Sequence, residues 1–326
     1  MTTKRERLEA AIAGEIADRT PVALWRHFPV DDQHPERLAK ATSIFQEEYD
    51  FDFIKVTPAS SFCIRDWGVE DEWRGSTEGT RDYVKRAIHD TDEWGKLEVL
   101  DPEKGFLGNQ LRCLKKLSSE ADQEVPIIQT IFSPLAQAKN LAGQNRLLEH
   151  LHRDAKSVLA GLETITLSTI AFIEAAKDRG IDGIFYAVQH ANFHLFDRES
   201  YTQFGEAYDR RILEAANDLW LNVLHLHGEA IMFDLADRYP VQVVNWHDRE
   251  TWPDLEEGKR LTNAAVCGGV QRESLVLGDP DELASESSEA IKSLSGKGMI
   301  LGTGCVVPVI APRANIEAIR SSVDFA

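Results

Sequence analysis

The stretch Asp182-Gly183-Ile184-Phe185-Tyr186-Ala187-Val188-Gln189 decides the fold, because a short apolar run that opens on Asp indicates a buried strand. A helical pattern over Arg198–Leu219 follows it, and a second apolar run, Leu221–His227, comes next. Strand, helix and strand in this order are typical of two parallel strands that are joined by a helix on the outside of the sheet.

The same alternation repeats along the whole chain. We predict eight strands, at Pro21–His27, Asp52–Thr57, Pro126–Phe132, Asp182–Gln189, Leu221–His227, Gln242–Trp246, Asn263–Gly268 and Met299–Gly302. The helical patterns between and after them cover Glu36–Glu48, Ala136–Glu149, Asp154–Arg179, Arg198–Leu219, Glu229–Arg238, Pro253–Glu257, Asp279–Ser295 and Ile316–Ser322. Eight such repeats predict an α/β fold, a single (β/α)8 TIM barrel over residues 1–326.

Two features complete the predicted architecture: an N-terminal amphipathic helix ahead of the first strand, and a long insert, Pro58–Glu124, after the second. Long inserts on a barrel usually shape the active-site mouth or a partner surface. An open doubly wound sheet is the alternative fold. It is disfavoured because the first strand-to-helix turn, Phe28-Pro29-Val30-Asp31-Asp32, carries no glycine-rich phosphate fingerprint.

Charge and cysteine content exclude several classes of protein. The chain has 54 acidic and 36 basic side chains, and its net charge of −18 disfavours binding to nucleic acid or to anionic membranes. It begins without an apolar signal core and has no run of about 18 apolar residues, so we expect a cytoplasmic protein. The four cysteines form no Cys-x-x-Cys pair, so we expect reduced thiols. The sequence is compatible with a homodimer.

Two histidines, His225 and His227, lie at the end of the predicted fifth strand. Side chains two residues apart on a strand point to the same face, so both imidazoles can contact one ion. Cys305 follows the eighth strand, and the carboxyl ends of barrel strands meet at one mouth. Two imidazoles and a thiolate form a zinc-type set with an open fourth position, which is typical of a catalytic site.

Five more polar residues lie at the predicted mouth: Arg26, His27, His190, His247 and Asp248. Arg26 ends an apolar strand, so it either pairs with a carboxylate of the barrel or binds an anionic group of a substrate. His27 and His190 are candidates for proton transfer. His247 and Asp248 supply either a fourth metal ligand or a general acid/base. The residues that follow them, Arg249 and Glu250, are interpreted as parts of a solvated loop.

The chain resembles the uroporphyrinogen decarboxylase superfamily at its beginning, in its middle and near its end. The matching segments are Arg7-x-x-Ala10-Ala11-Ile12-x-Gly14-Glu15-x-x-Asp18-Arg19-x-Pro21-Val22, then Gly180-Ile181-Asp182-Gly183, and then Leu301-Gly302-Thr303-Gly304-Cys305-x-x-Pro308 with Asn315-Ile316-x-Ala318. The resemblance implies a (β/α)8 barrel over nearly the whole chain. It also implies one of two activities, uroporphyrinogen decarboxylation or zinc-dependent methyl transfer between a corrinoid protein and a thiol.

The decarboxylase branch is marked by a Met-Arg-Gln-Ala-Gly-Arg-Tyr segment, and the matching stretch here, Trp25-Arg26-His27-Phe28-Pro29-Val30-Asp31, keeps only the first arginine. The Phe-Ser-Asp segment of that branch corresponds to Thr57-Pro58-Ala59-Ser60, without the aspartate. Its Leu-Gly-His-Gly corresponds to Leu301-Gly302-Thr303-Gly304, without the histidine. Decarboxylation in the haem pathway is therefore not expected.

The methyltransferase branch carries His-x-Cys-Gly at the fifth strand and Gly-Cys after the eighth. This chain has His225-Leu226-His227-Gly228 and Gly304-Cys305, so an imidazole replaces the middle thiolate. The replacement removes one negative charge from the ligand set, which makes the ion a stronger Lewis acid and a bound thiolate less nucleophilic. The replacement thus extends the candidate ions to iron, cobalt and manganese, and it adds a hydroxyl to the candidate substrates.

We therefore hypothesise a metal-dependent methyltransferase in which His225, His227 and Cys305 hold zinc, or another divalent metal, that activates a thiol or a hydroxyl. Methylcobalamin would take part only through a separate corrinoid protein, Arg26 would bind an anionic end of the substrate, and His190 or His247 would manage a proton. The alternative is a metal-free decarboxylase or lyase acting on a small carboxylated substrate, with Arg26 as anchor and His27 or His190 as the acid. A third hypothesis is a non-catalytic binding protein that kept the barrel.

Overall fold

The computed structural model describes residues 2–121 and 124–324, and a parallel sheet forms its centre. The strands of this part of the chain are β1 (Ile54–Val56), β2 (Glu70–Glu72), β3 (Asp82–Lys85), β4 (Ile127–Phe132), β5 (Gly183–Val188), β6 (Val223–Leu226), β7 (Val243–Trp246), β8 (Ala265–Val270) and β9 (Met299–Thr303). Seven of them pair in parallel in the order β1-β4-β5-β6-β7-β8-β9, and β2 and β3 form a separate antiparallel hairpin. Strands of the large sheet such as β5 are buried along their whole length, which explains their apolar sequences.

The predicted first strand, Pro21–His27, closes this sheet into a barrel. The Ala23 N–H donates to the Leu301 carbonyl of β9 at 3.0 Å, and the Leu301 N–H donates to the Pro21 carbonyl at 2.8 Å. On the other side, the Asp52 N–H donates to the Val22 carbonyl at 2.9 Å, just ahead of β1. The segment therefore occupies the eighth strand position, although it forms a regular bridge only at Val22 among the described residues. The predicted (β/α)8 barrel is confirmed, and its extent as one domain over residues 1–326 stays a prediction.

Helices cover the outside of the barrel. In residues 2–121 and 124–324 they are α1 (Lys4–Ile12), α2 (Pro35–Tyr49), α3 (Gly105–Glu120), α4 (Pro134–Ala142), α5 (Gln144–Lys177), α6 (Arg198–Tyr201), α7 (Ala207–Ala215), α8 (Leu235–Arg238), α9 (Leu255–Leu261), α10 (Ser274–Leu277), α11 (Pro280–Ser293) and α12 (Arg313–Ser322). The helix α1 ahead of the barrel is as predicted, and it begins in a capping box at Thr3 and Glu6.

Three predicted helices differ from the structure for local reasons. The pattern over Ala136–Glu149 is divided at Gly143, whose φ of 92° ends α4. The pattern over Glu229–Arg238 yields only α8, because Ile231 pairs with Asn192 and holds the start of that segment extended. The pattern over Arg198–Leu219 contains a π turn between α6 and α7.

The predicted insert after the second strand, Pro58–Glu124, contains the β2–β3 hairpin and α3, while residues 122 and 123 lie outside the described residues. Side chains of the hairpin region line the cavity at the mouth of the barrel, among them Thr80, Arg81 and Tyr83. The insert therefore helps to shape the mouth, as its length predicted.

One helix, α5, is long and apolar enough by length and composition to cross a membrane, with a mean hydropathy of 1.5 over its most apolar window. Half of that window is buried inside the protein, and the core helix of a soluble protein passes the same test. The backbone of α5 also breaks at Asp154 (φ −154°, ψ 72°). A single helix of this kind is weak evidence for a membrane span.

A partly buried ion cluster, formed by Arg7, Asp18, Arg19 and Asp52, ties α1 to the closing segment of the barrel. The Asp52 carboxylate is fully buried and accepts hydrogen bonds from Arg7 Nη1 at 2.6 Å and Arg19 Nη1 at 2.8 Å. It also accepts the Val22 N–H at 2.7 Å. The opening motif of the sequence thus has a structural role, because its charged residues fix the strand that closes the barrel.

Candidate metal centre

Strand β6 positions the two histidines of the predicted metal site. His225 lies inside β6, buried and stacked on Phe185 with ring centroids 5.1 Å apart. His227 comes directly after the strand, and its N–H still donates to the Val188 carbonyl at 3.0 Å. The hydrogen bonding between β5 and β6 therefore continues one residue past the end of β6. Both imidazoles face the same side, as their spacing predicted.

Cys305 reaches the same place from the loop after β9. A side chain at Gly304 would meet the His247 Cα at 2.6 Å and the Trp246 carbonyl oxygen at 2.7 Å. Glycine therefore allows this loop to pass against the end of β7. As a result Cys305 Sγ lies 3.9 Å from His227 Nδ1, so the structure brings the three predicted ligands together.

A fourth group, His247, joins them. It follows β7 directly, and its Nε2 lies 3.2 Å from His227 Nδ1. The potential ligand atoms of His225, His227, His247 and Cys305 all lie within 4.8 Å of one another. The sequence left His247 open as a ligand or an acid/base, and this position favours the ligand. We name these four residues the His/Cys cluster.

Hydrogen bonds behind the cluster select which ring nitrogen faces its centre. Asn245 donates from Nδ2 to the carbonyl oxygens of Cys267 at 2.8 Å and Thr303 at 2.9 Å, so its Oδ1 must accept from His225 Nδ1 at 2.6 Å. His247 Nδ1 likewise faces the Glu250 carboxylate at 3.0 Å. When these two rings are neutral, Nε2 therefore carries no proton and is directed at the cluster, which is the arrangement of a ligating imidazole.

The spacing within the His/Cys cluster fits a small tetrahedral ion. Zinc–nitrogen bonds of about 2.0–2.1 Å place two tetrahedral nitrogen ligands about 3.3 Å apart. His225 Nε2 and His227 Nδ1 are 3.4 Å apart, and His227 Nδ1 and His247 Nε2 are 3.2 Å apart. Unprotonated nitrogens at this separation repel one another unless a cation or a shared proton lies between them, so the donor set fits a metal ion.

Electrostatics favour the ligating form of the cysteine. Burial raises the pKa of Cys305, but hydrogen bonds from His225, His227 and His247 lower it more, so it lies well below the usual value of a thiol. Burial lowers the pKa of His225 to about 4. A thiolate and a neutral imidazole are the protonation states that bind metal ions.

A cavity of about 310 Å³ lies beside the cluster, and His225, His227 and Cys305 line it. The same cavity is lined by Lys55 of β1 and Lys139 of α4, which the sequence analysis did not single out. The signal for Lys55 was present, because a lysine flanked by Ile54 and Val56 in a buried strand is unusual unless it is paired or functional. The sequence of α4 contains no comparable indication that Lys139 faces a cavity.

Arg26, the predicted anion anchor, does not reach this cavity. Trp25 and His27 line it, and the side chain between them points to the opposite side because successive strand residues alternate. The Arg26 guanidinium instead donates to the Val309 carbonyl at 3.2 Å and lies over the Phe28 ring. Among the described residues no carboxylate lies within ion-pair distance of Arg26, and its role as an anion anchor stays a prediction.

The remaining predicted residues lie at three different places. His27 lines the cavity, and burial lowers its pKa to about 3. His190 lies outside the cavity lining, where its Nε2 is 3.0 Å from Gln144 Oε1. Burial also lowers the pKa of His190 to about 3. Asp248 turns away from the cluster and accepts the Gly269 N–H at 3.0 Å. Glu250, interpreted from the sequence as part of a solvated loop, is exposed and also orients His247.

A model of the protein family described as Uroporphyrinogen decarboxylase (URO-D) matches residues 3–325. This range takes in all three segments that carry the resemblance in the sequence. The predicted resemblance to that superfamily is thereby confirmed.

Curated relatives lie on the methyltransferase side of the resemblance. "Methylcobamide:CoM methyltransferase MtbA" from Methanosarcina mazei is 23% identical over 97% of this chain and 96% of its own length. "Methylcobamide:CoM methyltransferase MtaA" from Methanosarcina barkeri is 25% identical over 99% of this chain and 98% of its own length. Both agree with the predicted class of enzyme and the predicted branch.

Solved structures share the fold. A methyltransferase from Methanosarcina mazei superposes with a TM-score of 0.85 at 20% identity, covering 99% of this chain and 99% of that chain. A B12-independent methionine synthase from Shewanella sp. W3-18-1 superposes with a TM-score of 0.63 at 12% identity, covering 94% and 97%. At these identities the likeness concerns the fold alone.

Proposed function

Since this chain belongs to the uroporphyrinogen decarboxylase family, we propose that it is a metal-dependent methyltransferase whose metal ion is held by the His/Cys cluster. The reaction class comes from the curated relatives, which are methyltransferases by name. The observation that carries the proposal is the convergence of three imidazole nitrogens and one thiolate sulfur within 4.8 Å beside a cavity.

Zinc is the proposed ion, because it prefers nitrogen and sulfur ligands in a tetrahedral arrangement, and another divalent metal is the alternative. Because four protein donors leave no open tetrahedral position, a substrate thiol would have to displace one of them or enter as a fifth ligand. When bound, zinc would lower the pKa of such a thiol, so that the substrate is a thiolate nucleophile at neutral pH. Only one of the four donors is anionic, which keeps a hydroxyl substrate as the second candidate. His225, His227 and Cys305 line the cavity while His247 lies behind them, so a substrate can approach from the cavity side.

The chain's own residues orient the ligands and exclude water. Asn245 and Glu250 fix the tautomers of His225 and His247, as their hydrogen bonds of 2.6 and 3.0 Å indicate. Trp25 and Phe185 form an apolar wall of the cavity. A wall of this kind strengthens electrostatic interactions at the site by lowering the local dielectric.

The alternative, a metal-free decarboxylase or lyase, loses the residues that the sequence assigned to it. Arg26 donates to the Val309 carbonyl and lies outside the cavity lining. His27 and His190 have pKa values of about 3, so both rings are neutral near pH 7 and neither is a ready acid. These observations favour the methyltransferase.

Replacing Asn245 with alanine should weaken metal binding on the order of 10- to 100-fold, the usual effect of losing a residue that orients a ligating histidine. Without the Asn245 side chain, the His225 ring is free to rotate and to exchange tautomers. Chelator competition measures the affinity. Asn217→Ala is the matched control, because Asn217 is exposed and bonds only to Glu214 among the described residues. Equal affinities in the two variants would contradict the assigned role.

We propose that a separate corrinoid protein delivers the methyl group at the mouth of the barrel. Large apolar side chains are exposed in the loops after three strands: Phe193 after β5, Trp252 after β7 and Ile310 after β9, with exposures of 58, 64 and 54%. A protein that docks at the mouth would bury these side chains. The four cysteines are free thiols, which supports a cytoplasmic enzyme.

Replacing Phe193 and Trp252 together with alanine should raise the KM for a methylated corrinoid protein by about tenfold or more. Aromatic side chains that become buried at an interface often contribute more than about 1.4 kcal/mol to binding, and this free energy corresponds to a tenfold change in affinity. Transfer from free methylcobalamin should stay unchanged. Steady-state kinetics with both donors measure the difference. Leu261→Ala, an equally conservative change at the C-terminal end of α9 on the opposite face of the barrel, is the control. An unchanged KM would contradict docking at this surface.

The activity itself is tested with zinc-loaded, untagged protein, methylcobalamin and a panel of thiols and alcohols. We expect the visible spectrum of methylcobalamin to change to that of cob(I)alamin, with one methyl thioether and one proton formed per methyl group transferred. Mass spectrometry identifies the methylated product. Stoichiometric zinc with no transfer to any acceptor would contradict the proposed reaction.

A further inference from the structure

The loop that joins β2 to β3, residues 73–81, lies against the mouth of the barrel, and we name it the strap. Two contacts attach its tip. The Val309 N–H donates to the Thr77 carbonyl at 2.7 Å. Gly79 is buried, and a Cβ there would meet the His27 Cβ at 2.5 Å. Since Gly79 also has a φ of 77°, only glycine allows the strap to pack this closely on the closing segment of the barrel.

The base of the strap is held by different contacts. Arg81 forms an ion pair with Asp71 of β2 at 2.6 Å, and both side chains are nearly buried. This pair joins the two strands of the hairpin to each other and leaves the tip out. The tip can therefore move away from the mouth while the hairpin stays in place.

Glu78, at the tip of the strap, borders two spaces. It lines the cavity of about 310 Å³ beside the His/Cys cluster, and it also lines a surface groove of about 350 Å³. No other described residue lines both of them. The Glu78 side chain thus forms part of the wall that separates the metal site from the groove.

Arg272, which follows β8, holds this wall in place and also holds the loop that carries Cys305. Its Nη2 forms an ion pair with the Glu78 carboxylate, and its Nε donates to the Val306 carbonyl at 3.2 Å. The Arg272 side chain is only 14% exposed, so water competes weakly for these contacts. A planar guanidinium presents several N–H donors in fixed directions, so one side chain can fix two groups relative to each other.

The remaining bonds of the Cys305 loop come from the barrel. The Thr303 hydroxyl donates to the Cys305 carbonyl at 2.6 Å, and the Val307 N–H donates to the Trp25 carbonyl at 2.8 Å. Neither bond involves the strap. The strap therefore acts on the loop closest to the ligand at the Val306 carbonyl, one residue from Cys305, and it does so through Arg272.

We propose that Arg272 is a positioning residue that couples closure of the strap to the position of the Cys305 thiolate. While the ion pair with Glu78 is formed, the wall is closed and the Val306 carbonyl is held so that Cys305 faces the three imidazoles. When the ion pair breaks, the cavity and the groove become one space and the Cys305 loop loses a restraint. The role of Cys305 as a metal ligand rests on the proposed function, whereas the coupling itself requires no metal.

Alkylation of Cys305 in the metal-free protein tests the closure. Glu78→Gln and Arg272→Met should each raise the rate of reaction with iodoacetamide about fivefold or more, because both substitutions raise the population in which the wall is open. Mass spectrometry of the Cys305 peptide measures the rate. Glu72→Gln is the matched control, because it removes an exposed ion pair with Arg74 in the same hairpin. Rates equal to the unsubstituted protein in both variants would overturn the proposal.

Zinc affinity and a charge swap test the positioning. Arg272→Met should weaken zinc binding about tenfold, the usual effect of losing a contact that orients a ligand. The double variant Glu78→Arg with Arg272→Glu restores the ion pair but leaves the Val306 carbonyl without its donor. It should therefore return alkylation of Cys305 to within about twofold of the unsubstituted protein, because the wall closes again, while zinc binding stays weak.

Chelator competition measures the zinc affinity of each variant. Unchanged affinity in Arg272→Met, or full recovery of affinity in the charge-swapped protein, would overturn the positioning role. Faster alkylation of Cys305 in Glu78→Gln, in a protein whose unsubstituted form binds no zinc, would instead support the coupling and contradict the proposed function.

Discussion

Replacing Cys305 with alanine should remove the bound metal and lower methyl transfer on the order of a thousandfold, which corresponds to about 4 kcal/mol of transition-state stabilisation. Cys305 supplies the one anionic donor of the His/Cys cluster, and its Sγ lies 3.9 Å from His227 Nδ1. Without Cys305 the remaining donors are three neutral imidazoles, so no ligand compensates the charge of a divalent ion. His225→Ala should have an effect of similar size, because Asn245 holds that ring in the ligating tautomer.

Metal content and turnover are measured on the same untagged preparations. Cys113→Ala is the matched control, because Cys113 is a buried free thiol on α3 with no place in the cluster. We expect it to retain stoichiometric metal and activity. A Cys305→Ala protein that keeps both would show that the cluster does not hold the functional metal.

Replacing Asp52 with alanine should destabilise the protein by about 3–5 kcal/mol, the usual cost of removing one partner from a buried ion pair. The Asp52 carboxylate is fully buried and bonds to Arg7, Arg19 and the Val22 N–H. Its loss leaves two guanidinium groups short of a partner and frees the segment that closes the barrel. The effect should reach the whole fold, because Pro21–Trp25 lies between β9 and β1.

Urea unfolding measures the free-energy change. Glu72→Ala is the control, because Glu72 forms an exposed ion pair with Arg74, a type that contributes at most about 1 kcal/mol. A loss for Asp52→Ala no larger than that of the control would contradict the role of the ion cluster in closing the barrel. Binding of metal by Asp52→Ala at low temperature would show that the His/Cys cluster still forms.

The barrel was predictable because its strands are buried on both faces. Runs such as Asp182–Gln189 and Leu221–His227 stand out as short apolar segments between polar helices, and each overlaps an observed strand. The interruptions of the helices were less predictable. Gly143 takes a positive φ that ends α4, whereas a glycine inside a helical pattern does not by itself reveal its φ.

The convergence of the candidate ligands was predictable because strand geometry fixes it. His225 and His227 share a face through their spacing, and Cys305 lies at the same mouth through the order of the barrel strands. His247 was placed at the mouth, but its role depended on a partner. Glu250 supplies that partner three residues later, and a charged loop residue has no signal in the sequence that separates it from solvated neighbours.

The position of Arg26 has a physical lesson. An arginine beside cavity-facing residues was taken for an anchor, yet side chains alternate along a strand, so Arg26 must point away when Trp25 and His27 point in. The same rule could have drawn attention to Lys55, which lies in a strand that is buried throughout. What the sequence does not provide is the set of partners around a lysine, which depends on contacts between distant segments.

X-ray absorption spectroscopy of the untagged, metal-replete protein tests the account most directly. The His/Cys cluster predicts about one zinc ion per chain with one sulfur at about 2.3 Å and three nitrogens at about 2.0–2.1 Å. The Cys305→Ala protein should lack the sulfur contribution or the metal. A native protein that binds no metal, or a zinc shell that contains no sulfur, would contradict the claim that these four residues form a metal centre.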